Sequence, residues 1–101
     1  MDVISHPAFA HLHSTADHLH SESPQRLARL LEHFPGFVQG RPAERSQIGR
    51  VHDGAYIDAI GAVRDEIWLD PDTFACATTW EAAVLAAGCA IQAAESEGFA
   101  L

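Results

Sequence analysis

The chain has 101 residues, 48 % of them hydrophobic and 20 % charged, a composition that fits one globular domain and excludes a disordered chain. Its net charge of −8 comes from 14 acidic residues against six arginines and no lysine, and phosphate repels such a surface, which argues against nucleic acid and anionic membrane as partners. No apolar run nears the roughly 18 residues that span a bilayer, and no basic segment precedes an apolar one after Met1, so the expected location is the cytoplasm.

In chain order, Val3 and Ile4 predict a short strand that Pro7 ends. Ala8 to Glu22 reads as a long loop with at most one helical turn. It is rich in histidine: His6, His11, His13, His18 and His20 fall within fifteen residues. Two His-x-His pairs, His11/His13 and His18/His20, would each put both imidazoles on one face of an extended strand, about 6 to 7 Å apart. Neutral imidazole is a good ligand for zinc, nickel or copper, so these four histidines are one candidate metal site. A solvated polar loop with incidental histidines explains the same residues.

Ser23-Pro24 is a helix start, with serine as N-cap and proline in the first turn. Leu27, Leu30, Leu31 and Phe34 follow at helical spacing, and Pro35-Gly36 stops the helix. Phe37 and Val38 predict a short extended piece. Pro42 to Gly49 predicts one short helix. Asp53-Gly54 begins a further helix with Tyr56, Ile57, Ile60, Val63 and Ile67 on one face. Leu69 to Thr73 is turn-rich and predicts a loop. Thr78 or Thr79 caps the last helix, with Glu81 in its first turn and Ser96 near its end. Trp80, Val84, Ala87, Ile91 and Ala94 mark its expected apolar face. Ala82, Ala83, Ala86, Gly88 and Ala90 keep the remaining surface small enough for another backbone to approach. Gly98 to Leu101 predicts a turn and a strand. Cys76 and Cys89 fit no zinc or redox spacing, and read as buried thiols in a reducing compartment.

The expected fold is a single domain over residues 1–101, mostly α, with three to four helices, at most two or three short strands, and a His-rich first loop over residues 1–22. Too few strands are expected to cover the helices, which predicts a homo-oligomer, a dimer in the first instance, formed through the Ala-rich helix or strand edges.

Four local signatures add to this. His20-Ser21-Glu22-Ser23-Pro24-Gln25-Arg26-Leu27 is similar to a His-Pro-Glu-x-Pro-x-Arg-Leu opening, departing at Ser21. Arg50-Val51-His52-Asp53-Gly54-Ala55-Tyr56-Ile57 looks like a Val-His-x-x-x-Tyr-Ile element. Leu69-Asp70-Pro71-Asp72-Thr73 is like an Asp-x-Asp-Thr loop. Trp80 to Gly88 is similar to the small-residue helix that follows such a loop. In this order they resemble the N-terminal segment of the histone deacetylase and acetylpolyamine amidohydrolase family, nearest its bacterial, class II-like members.

The resemblance implies a piece of a three-layer α/β/α arginase-like domain. It also implies zinc-dependent hydrolysis of acetyl-lysine or acetylpolyamine amides, which the acidic charge suits. Asp72, with Asp70 beside it, matches the rim aspartate that accepts hydrogen bonds from substrate N–H groups. A carboxylate accepts such bonds without competing donors, although either aspartate also serves as a plain turn cap. His18 and His20 fall in the first active-site loop. Arg26 matches a family arginine, although pairing with a nearby carboxylate such as Glu22 explains it equally, and His52 and Tyr56 match structural positions. The family's zinc ligands and tandem histidines follow an Arg-Pro-Pro-Gly-His-His segment that this sequence lacks. No catalytic residue and no family zinc ligand is therefore assigned, and no cofactor is expected in this chain. The chain is expected to be inactive alone. Two alternatives remain: a small self-associating helical module, and a His-rich metal-binding protein.

Overall fold

The first and last apolar runs of the chain meet in one small sheet. In a computed structural model describing residues 1–15 and 20–101, β1 (Val3–Ser5) lies between β2 (Val38–Gln39) and β5 (Phe99–Ala100), all parallel. Parallel neighbours need long crossovers. The first crossover carries a 3-10 turn (Pro7–Ala10) and α1 (Pro24–His33), and the second ends in α4 (Thr79–Ser96). Between them lie α2 (Arg45–Ile48), α3 (Gly54–Gly61) and an antiparallel hairpin of β3 (Ile67–Asp70) and β4 (Thr73–Ala75).

The expected starts of α1, α3 and α4 hold, whereas α2 begins at Arg45 rather than at Pro42. Ser23 and Asp53 are extended N-cap residues, and Pro24 opens α1. Glu44 precedes α2, and its N–H donates to the Gln47 side chain at 2.8 Å.

The described residues form five short strands, more than the two or three expected. The excess comes from 67–75, where the expected loop over Leu69 to Thr73 is the centre of a hairpin. Apolar residues flank that turn on both sides, Trp68 and Leu69 before it and Phe74 and Ala75 after it, and this is a hairpin pattern. Ile67 consequently leaves the face of α3. That helix ends at Gly61, where the Arg64 guanidinium donates to the carbonyls of Gly61 and Val63 at 3.0 and 3.1 Å. Such a contact satisfies carbonyls that a helix end leaves bare.

The core forms where Ile4, Phe9 and Leu12 meet Leu85, Cys89 and Ala93 of α4. The buried face of α4 is thus Leu85, Gly88, Cys89 and Ala93, a correction to the expected Trp80, Val84, Ala87, Ile91 and Ala94. A helix apolar nearly all round does not reveal which side meets the sheet. Its small residues do what they were expected to do. The segment leaving β2 crosses α4 so closely that a Cβ on Gly88 would collide with the Arg41 carbonyl oxygen and the Ala43 nitrogen. The Ala43 N–H donates to the Val84 carbonyl at 2.8 Å, and Gly40 rests against the Cys89 thiol.

Candidate functional site

Pro71 and Asp72 form the tip of the hairpin. Asp70 holds that tip in shape: its Oδ1 accepts from the Asp72 N–H at 2.8 Å and its Oδ2 from the Thr73 hydroxyl at 3.0 Å. This is an Asx turn, a side chain standing in for a backbone acceptor. The bond from the Asp72 N–H, then that from Thr73, keeps the Asp70 carboxyl below its ordinary pKa. Asp70 therefore does the capping. Asp72 stays exposed, its carboxylate with no hydrogen bond or ion pair among the described residues, and it lines a cavity.

The first loop reaches the same tip through His20. Its Nδ1 accepts from the Glu22 N–H at 3.0 Å, and its Nε2 lies 2.8 Å from the Asp72 carbonyl oxygen. A carbonyl only accepts, so Nε2 carries the proton. The imidazole packs against Trp68 and Phe74, with ring centroids 5.7 and 5.1 Å away. His13 stacks on Phe74 as well, with ring centroids 4.2 Å apart and the rings nearly parallel. Its Nδ1 lies 2.7 Å from the Thr79 hydroxyl, and its N–H donates to the Thr78 hydroxyl at 2.9 Å. Burial lowers the His13 pKa most; nearby Glu22 opposes that shift and His20 reinforces it.

Phe74 is buried and joins both histidines, a role that nothing in its sequence neighbourhood announces beyond an apolar residue directly after a turn. Cys76 sits beside it. Burial alone would raise this thiol's pKa, but hydrogen bonds from the Thr78 and Thr79 hydroxyls and from backbone groups outweigh that and leave it lowered. Cys76 is half-buried rather than fully buried as expected; Cys89 is fully buried, which raises its pKa, and both are free thiols.

The hairpin, α3 and α4 enclose an open cavity of about 730 Å³, lined by His13, His20, Tyr56, Asp72, Trp80 and Ile91 among others. The expected apolar face of α4 thus fronts this cavity through Trp80, Ala87 and Ile91. His52 and Tyr56 stand together on its α3 side, ring centroids 5.6 Å apart. Arg26 makes an exposed ion pair with Glu22 at 3.3 Å.

The structure thus brings His20, Asp70 and Asp72 together. Among the described residues, His11, His13 and His20 of the candidate metal site form no group arranged to hold a metal ion. His11 is exposed at the end of the 3-10 turn, and His13 and His20 use ring nitrogens in the bonds just described. His18 lies outside the described residues.

Residues 11–97 match the histone deacetylase domain. The chain belongs to the histone deacetylase family. No curated protein matches this deacetylase-family chain. Its fold is similar to the crystal structure of the HDA15 HD domain, with a TM-score of 0.74 and 24 % identity over 97 % of this chain. The chain spans about a third of that neighbour's length, 35 %. Histone deacetylases are generally zinc-dependent. Among the described residues, no group of three or more His, Cys, Asp or Glu is arranged to hold a metal ion. These residues of the deacetylase segment do not by themselves fit the family's zinc, and no hydrolytic step is assigned to them.

Proposed function

We propose that this chain is the N-terminal segment of a three-layer arginase-like deacetylase domain, and that it supplies the substrate rim rather than the reacting centre. Asp72 is the rim acceptor, taking hydrogen bonds from backbone N–H groups of an acetyl-lysine peptide or from an acetylpolyamine. The single observation that supports this most is the division of work at the hairpin tip. Asp70 satisfies the turn, so the carboxylate of Asp72, a lining residue of the cavity, stands free of bonds among the described residues. The Asp70-Pro71-Asp72-Thr73 sequence supports class II-like character. Inactivity of the chain alone is part of this proposal, and the lack of a tandem histidine pair in the sequence supports it. A hydrolytic site needs three metal ligands, a base and an oxyanion donor, and none of these is assigned.

The rim is tested by titrating the chain with an acetyl-lysine peptide and following backbone amide signals. Signals from residues 70–74 should move, and Asp72→Asn should remove most of the effect, since an amide accepts less strongly than a carboxylate. An unchanged response in Asp72→Asn contradicts the assignment.

A second, compatible reading is self-association. Its support is apolar surface on both sheets: Trp68 is 47 % exposed, Leu69 51 % and Phe99 55 %.

A further inference from the structure

The geometry points to His20 as the positioning residue that sets the Asp72 rim, acting as a neutral Nε2–H tautomer between the first loop and the hairpin tip. This inference rests on the rim reading of Asp72 and adds the group that holds that rim in place.

The two bonds of the imidazole are directional and fix its chemistry. The Glu22 N–H is a donor, so Nδ1 presents a lone pair; the Asp72 carbonyl oxygen is an acceptor, so Nε2 presents a hydrogen. Only one form of histidine does both. The other neutral tautomer inverts both contacts, and imidazolium places two hydrogens face to face at Glu22. The ring is also held in plane by packing on Trp68 and Phe74, one from each strand of the hairpin. Thus the bond links residues 52 positions apart, and it reaches the backbone of Asp72 rather than its carboxylate. His20 fixes where the carboxylate sits and leaves it open to substrate. The charged and titratable groups around His20 among the described residues include Glu22 on its own segment, His13 in the first loop, and Asp70 and Asp72 on the hairpin.

The test reads the imidazole nitrogens of His20 by ¹⁵N NMR on the full chain, in mildly alkaline solution where imidazole is neutral. The expected result is a protonated Nε2 and an unprotonated Nδ1, unchanged in Asp72→Asn because the acceptor is a backbone carbonyl. His20→Phe, which keeps an aromatic ring against Trp68 and Phe74, should shift the Asp72 and Thr73 amide signals while leaving those of α4 in place. His20→Gln, which retains one donor and one acceptor, should restore part of that shift. An Nδ1–H tautomer, or an Asp72 amide indifferent to His20→Phe, overturns the proposal. Failure of the rim reading looks different: peptide binding would then ignore Asp72→Asn while the His20 tautomer stayed as expected.

Discussion

Two aspartates one residue apart carry different duties, and their surroundings decide which does which. Asp70 accepts from the Asp72 N–H and the Thr73 hydroxyl, so its negative charge is spent on the turn. Asp72 has both backbone groups engaged, its N–H by Asp70 and its carbonyl by His20, while its carboxylate makes no bond among the described residues. Sequence spacing marks both as candidates and cannot rank them, because the ranking depends on which carboxylate folds back onto the chain. His13 shows a second effect of surroundings. Its folded pKa is lowered from the ordinary value of 6.5 by burial. Between that lowered value and 6.5 the unfolded chain binds more protons than the folded one, so stability rises with pH across this window. The His13 contribution is therefore fully present above 6.5 and lost as pH falls through the folded value. Thermal unfolding should show a melting temperature that declines as pH drops from about 7.5 to about 5.5, around the usual histidine range. His13→Asn, an exchange tolerant of the positive φ of 55° at this position, should flatten that decline. An equal decline in the variant would place the proton uptake elsewhere.

At the scale of elements, the helices were legible and the hairpin was not. Ser23-Pro24, Asp53-Gly54 and Thr78 mark true helix starts, because caps and proline act locally and need no tertiary partner. The β3–β4 pair needs a partner strand, and its turn residues read as a loop until the flanking apolar residues are paired. The buried face of α4 differs from the expected one for a related reason. The helix has apolar or small residues all round, so only packing decides that Leu85, Gly88, Cys89 and Ala93 meet the sheet side while Trp80 and Ile91 front the cavity. Denaturation of two truncations separates these faces. Leu85→Ala should cost about 2–4 kcal/mol, the range for a buried leucine, and Ile91→Ala less than half of that, since Ile91 is only partly buried beside an open cavity. A larger loss for Ile91→Ala would restore the face expected from periodicity.

At the scale of the whole molecule, the four sequence signatures agree with the match of residues 11–97 to the histone deacetylase domain. Of the candidate site, Asp70, Asp72 and His20 were legible from motif, whereas Phe74, Thr78 and Thr79, which tie the histidines to the hairpin and α4, were not. Their roles arise from contacts across more than fifty residues of chain. The proposed self-association belongs to this scale too. Trp68, Leu69 and Phe99 stand exposed on short strands, and apolar edges of that kind seek partners. Light scattering after size exclusion should give the mass of a dimer, twice 10.9 kDa, and a monomer at high concentration would contradict it. The claim that matters most is that this segment frames a substrate without performing the reaction. The direct measurement is acetate release from an acetyl-lysine peptide by the zinc-saturated chain. Release no faster than with zinc alone is the predicted result; turnover that scales with chain concentration would show a reacting centre within these 101 residues and contradict the account.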